Sequence, residues 1–166
     1  MAIKLLGSLC ILAGGGLARF FQLSERRRKQ DMLLDLLTAF RRMAEAVRMA
    51  RTSLPVLLER LAADCGPEAG AFFRAAGEAA RSGERFPETW RKLAEGLSLE
   101  TADRAIVINL GNDLQGDEEK VCKAVSYACL RLAERAEEAE RRRPEEEKRA
   151  GALWFSAAAL LVILLI

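Results

Sequence analysis

The charged residues of this chain are concentrated in its middle, and both ends carry long apolar stretches. Residues 5–18 and 150–166 contain no Asp, Glu, Lys or Arg. The mean hydropathy of +0.01 therefore averages two kinds of segment and does not describe a single globule. Since a helix of about 20 mostly apolar residues crosses the hydrocarbon core of a bilayer, we expect one transmembrane helix at each end.

The first predicted transmembrane helix covers residues 2–23. Lys4 and Arg19 flank its apolar run, and long basic side chains can extend to the membrane surface. A cleaved signal peptide is the alternative, but no convincing small-x-small cleavage site leads into a mature secreted sequence, and a basic cluster begins at Arg26. A lipoprotein signal at Cys10 is disfavoured because a leucine precedes it. We therefore predict an uncleaved anchor.

The second predicted transmembrane helix covers residues 150–166, which is close to the shortest length that spans a bilayer. A buried core helix is the alternative, but a domain of this size has no interior that could surround such an apolar terminus. Basic clusters at 26–29 and 141–149 lie on the inner side of the two runs. The positive-inside rule then places the domain between them, residues 24–149, in the cytosol.

The middle domain has apolar residues at helical spacing and no sustained alternation of period two. Proline, glycine and capping residues divide it into segments. The predicted helices cover about 24–50, 53–65, 67–82, 87–97, 100–114 and 117–149. Because short connections favour antiparallel neighbours, the predicted fold class is all-α, an antiparallel bundle of about six helices flanked by the two transmembrane helices.

The expected core of the bundle follows from the apolar stripes on these helices. On the first cytosolic helix the stripe comprises Leu33, Leu36, Leu37, Phe40, Met43, Ala44 and Val47. On the fifth helix, Leu110 and Leu114 share a face with Ile106. Three arginines of the first cytosolic helix lie off its stripe and are expected to face solvent: Arg41, Arg42 and Arg48.

The residue types present predict no catalytic, cofactor-binding or metal-binding site. The chain has no histidine, which removes the commonest general base and metal ligand. Its cysteines form no CxxC motif, which disfavours zinc. Asp113 and Asp117 flank a turn and are expected to cap and solvate it, not to act as an acid–base pair. A net charge of +2 gives no field that would attract nucleic acid.

The order of these features resembles the stage III sporulation protein AB family over essentially the whole chain. The resemblance includes the segments 4–7 and 23–26, the Thr52–Pro55 turn, the Gly66–Pro67 break, Phe72–Phe73 and Trp90. The residues that match the family signature, with a packing or partner-binding role, are Leu54, Pro55, Leu110, Gly111, Leu114, Gly116 and Asp117. Three departures are visible. Ala46, Met49 and Ala50 replace the usual residues before the Leu-Pro turn, the second signature glycine is displaced to Gly116, and a glutamine that usually follows shortly after the Asp is absent.

The resemblance implies a non-catalytic component of the sporulation channel between mother cell and forespore, held in the mother-cell membrane around the forespore. The family is similar to the cytosolic domain of the type II secretion platform protein, which sits beside a secretion ATPase. The implied partners are therefore other sporulation-channel membrane proteins, membrane lipid and the stage III sporulation protein AA ATPase. Neither nucleic acid nor a small-molecule substrate is implied.

The sequence leaves two other classes of function open. One is a membrane-anchored regulatory or signalling helical module, and the other is an enzyme at the lipid surface, for which no convergent polar groups are found. For the docking function, the candidate partner surface is the arginine set Arg41, Arg42 and Arg48, because guanidinium groups bind carboxylates bidentately.

The predicted topology can be tested with a reporter that is active only outside the cytosol. Fused at Gly83, in the middle of the chain, the reporter is expected to give no signal, because both basic clusters face the middle domain. A cytosol-active reporter at the same position is the control and is expected to give full signal. A strong signal from the first reporter would contradict the orientation.

Overall fold

The structure, a computed structural model, describes the backbone of residues 2–49, 52–83 and 85–165. Side chains are described for residues 21, 24–48, 52–83 and 85–142. The helices are α1 (Ala2–Met49), α2 (Leu54–Asp64), α3 (Pro67–Ser82), α4 (Phe86–Glu95), α5 (Thr101–Asp113) and α6 (Glu118–Leu165). No strand occurs within these ranges, and the prediction of an all-helical fold is confirmed.

Proline residues begin the three short helices that follow α1. Pro55, Pro67 and Pro87 lie in the first turns of α2, α3 and α4, where the missing N–H would have had no helical partner. The sequence offers Thr52 or Ser53 as the N-cap of α2. Ser53 is the N-cap residue, but its side chain makes no capping hydrogen bond. Helix α3 ends at Gly83, whose φ of 72° is the left-handed conformation that glycine adopts without strain.

The predicted boundary at Ser24 is wrong, because α1 runs through this position without a break. Ser24 Oγ donates to the carbonyl of Phe21, 2.9 Å away. A serine can bond back to the preceding turn in this way and remain inside a helix. Helix α6 likewise continues past position 149, where the sequence predicted a boundary.

The chain divides into two compact units. One comprises Met1–Arg27 together with Glu137–Ile166, and the other comprises Arg28–Ala136. The second unit contains the buried core, to which all of α2 to α5 and parts of α1 and α6 contribute.

Aromatic side chains form the centre of the core in the second unit. Phe40 of α1 meets Phe73 edge to face with ring centroids 6.1 Å apart, and Phe72 meets Trp90 in the same manner at 4.7 Å. Phe86 packs against Trp90 in a tilted arrangement with ring centroids 5.6 Å apart. Offset and edge-to-face arrangements are favourable beyond the area they bury. These contacts join α1, α3 and α4 into one cluster.

Small residues allow α2 and α3 to approach each other closely. Gly70 is buried, and a Cβ atom at this position would lie 2.8 Å from the carbonyl oxygen of Ala62. Ala69 and Ala76 are fully buried on the same helix. The α2–α3 contact therefore requires backbone proximity that larger side chains would prevent.

Within the residues that the structure describes, no helix contains a segment that is both long and apolar enough to cross a membrane. Apart from Phe21, the side chains of the two predicted transmembrane helices, 2–23 and 150–166, lie outside the described residues. Both transmembrane helices therefore stay predictions from the sequence.

The predicted core face of α5 can be tested at Leu110. Leu110 and Leu114 are buried together with Val107, whereas Ile106 is only partly buried. The substitution Leu110→Ala is expected to lower the free energy of unfolding by about 2–5 kcal/mol, as large-to-small core changes do. Asn109→Ala, an exposed position on the same helix, is the control. Denaturant unfolding of the two variants measures this, and a loss below about 0.5 kcal/mol at Leu110 would place that face outside the core.

Candidate functional site

Asp113 and Asp117, the two carboxylates considered as an acid–base pair, lie at the turn between α5 and α6. Asp113 forms an ion pair with Lys120 at 3.3 Å, and the carbonyl of Asp117 accepts the backbone N–H of Val121 at 2.9 Å. Within the described residues, no group of three or more His, Cys, Asp or Glu side chains could hold a metal ion. These contacts give both aspartates a structural role at the turn.

The described cysteines are free thiols at partly buried positions. Burial raises the pKa of the Cys65 and Cys129 thiols above the ordinary value. A raised pKa keeps a thiol protonated, and the thiolate is the reactive form. Both residues therefore behave as small apolar side chains.

The three arginines of the candidate partner surface do not form one surface. Arg42 Nη1 pairs with Asp64 Oδ2 of α2 at 2.5 Å. Arg48 turns toward α6, where its Nε donates to the sulfur of Cys122 at 3.3 Å, a contact that raises the pKa of Arg48. Of the three, Arg41 alone is exposed without a hydrogen bond or ion pair to a described residue.

Glu68 connects three parts of the bundle. Its Oε2 accepts Arg28 Nε of α1 at 2.9 Å, and its Oε1 accepts the backbone N–H of Ser98, between α4 and α5, at 2.6 Å. Burial disfavours ionisation of this carboxyl, but the hydrogen bonds from Ser98 and Arg28 outweigh burial and place the pKa of Glu68 below its ordinary value. The link is therefore intact at neutral pH and is lost as acidification protonates Glu68.

Asp103 is the one charged residue that is buried within the described part of the chain. Its Oδ1 accepts Arg135 Nε of α6 at 2.8 Å, and Arg135 also pairs with Glu100 at 3.1 Å. The sequence analysis did not predict the contacts of Arg135 with Asp103 and Glu100. The available signal was the spacing of the two carboxylates, which lie three residues apart, as neighbours on one helix face do. Removal of one partner of a buried pair is strongly destabilising, since it leaves an uncompensated charge.

Gly111 of the family signature has a packing role. The Trp90 indole lies against the backbone of α5, and its Nε1 donates to the carbonyl of Val107 at 2.7 Å. A Cβ atom at position 111 would overlap the Trp90 ring at Cδ1, Cγ and Nε1. A glycine is required here because the indole occupies the space of any larger side chain.

Two other signature residues line an open cleft. Leu54 and Leu114 face it, and it encloses about 200 Å³. Its lining residues are Val47, Thr52, Leu54, Leu57, Leu114, Glu118 and Val121. Of the remaining signature residues, Pro55 lies in the first turn of α2, and Gly116 donates its N–H to the carbonyl of Asp113 at 3.1 Å. The signature residues therefore divide between the core, the turns and a solvent-accessible cleft.

The contact between Trp90 and Gly111 gives a direct test of the packing role. The substitution Gly111→Ala is expected to lower the free energy of unfolding by about 1–3 kcal/mol, because overpacking forces side chains and backbone to shift. Gly96→Ala is the matched control. At position 96 the nearest atom to a new Cβ is the Leu93 carbonyl oxygen at 3.5 Å, an ordinary contact. Equal stability of the two variants in thermal unfolding would contradict the role of Gly111.

The sequence model of the family described as "Stage III sporulation protein AB" matches residues 4–166. A solved structure titled "Stage III sporulation protein AB (SpoIIIAB)" is similar with a TM-score of 0.63 and 17% sequence identity, covering 71% of this chain and 98% of that one. A search of curated proteins found no match. At this identity the structural likeness shows the fold, and the family match over nearly all residues shows the family: the chain belongs to the stage III sporulation protein AB family.

Proposed function

We propose that the chain is a non-catalytic membrane component of the sporulation channel and that its helical domain docks the cytosolic ATPase of that complex. Membership of a stage III sporulation family supports the sporulation role. The uncharged apolar runs at both ends support membrane anchoring. The resemblance of the family to a type II secretion platform domain supports a secretion-type ATPase, here the stage III sporulation protein AA ATPase, as the partner.

The observation that carries the docking proposal is the guanidinium of Arg41, which has no hydrogen-bond or ion-pair partner among the described residues and lies seven residues after the exposed Leu34 on the same face of α1. Its charge lowers the pKa of the Cys129 thiol, which burial raises more strongly, so Arg41 lies on the side of α1 next to α6. Leu34 of α1 and Leu130 of α6 are 52% and 58% exposed. We call Leu34, Arg41 and Leu130 the α1–α6 face. Arginine beside exposed apolar side chains is typical of the residues that contribute most to protein–protein binding.

This proposal keeps Arg41 of the candidate partner surface expected from the sequence and leaves out Arg42 and Arg48. Reversal of the charge of Arg42 would break its ion pair with Asp64, and reversal of Arg48 would remove its hydrogen bonds to Cys122 and Ser126. A loss of docking in such variants could come from altered packing. Substitution of Arg41 avoids this ambiguity.

The docking proposal predicts that Arg41→Glu weakens binding of the ATPase and lowers the spore count together. Arg41 is exposed, so the free energy of unfolding is expected to change by only about 0.5 kcal/mol. Binding of the wild-type chain is expected to weaken as the salt concentration rises, because exposed charges are screened. The measurements are affinity of the membrane-reconstituted full chain for the purified ATPase and spore yield.

Arg74→Glu is the matched control for this experiment. Arg74 is an exposed arginine of α3, and its reversal is expected to leave both docking and spore yield unchanged. Normal docking and spore yield in Arg41→Glu would remove the α1–α6 face from the proposal. Absence of ATPase binding by the wild-type chain would refute the docking function, and the membrane-anchored regulatory module would then be the better interpretation.

A further inference from the structure

We draw no further inference here: the strongest candidate, the surface patch on α6 around Tyr127, which is 65% exposed, carries none, because nothing in the structure shows what covers it.

Discussion

The contact between the Trp90 indole and the backbone of α5 is the interaction on which the arrangement of the bundle depends. The indole is fully buried, contacts Phe72 and Phe86 on its ring faces and edges, and uses its only donor on the carbonyl of Val107. Because a buried indole N–H without a partner would be costly, α4 and α5 are held at one mutual position. Gly111 makes that position possible, since a side chain there would occupy the space of the indole.

Polar contacts fix the relative position of the helices, which burial of the apolar stripes alone does not specify. Burial of apolar surface is non-directional, so stripes alone allow helices to slide or rotate against one another. Glu68 removes this freedom by joining α1, α3 and the α4–α5 connection, and the Asp103–Arg135 pair joins α5 to α6. Both contacts are charge-assisted hydrogen bonds, which depend strongly on geometry. We infer that these two contacts specify the helix order more than they add to stability.

The same packing determines which surfaces remain for a partner. Phe40, Phe72, Phe73, Phe86 and Trp90 are buried in the core, whereas Tyr127 is exposed. Several surface charges are neutralised within the bundle, as Arg42 is by Asp64. Among the described residues, Arg41 keeps an exposed charge without a hydrogen-bond or ion-pair partner. A partner that competed for the charges of an exposed ion pair would disturb the fold only slightly, because exposed ion pairs contribute little to stability. The docking proposed above at Arg41 therefore breaks no ion pair among the described residues.

The sequence by itself determined the helical class and most helix ends. Helix α3 was predicted within its observed bounds, because Pro67 and Gly83 act on the local backbone whatever surrounds them. The prediction that both ends anchor in a membrane also rests on the sequence alone, since it follows from the length of the uncharged apolar runs. The continuity of α1 through Ser24 was not predicted, because a serine side chain can either begin a helix or bond back within one.

Only the tertiary structure decided which charged residues have an ion-pair or hydrogen-bond partner in another helix. Arg42 and Asp64 are 22 positions apart, and Arg135 and Asp103 are 32 positions apart, so no local spacing links them. The periodicity of a helix shows which residues lie outside the apolar stripe, but it does not distinguish charged residues that will be paired from those that will not. Their partners depend on how helices distant in sequence pack against each other. For this reason, three arginines that are equivalent in the sequence differ in the fold: Arg42 and Arg48 make structural contacts, and Arg41 has no partner among the described residues.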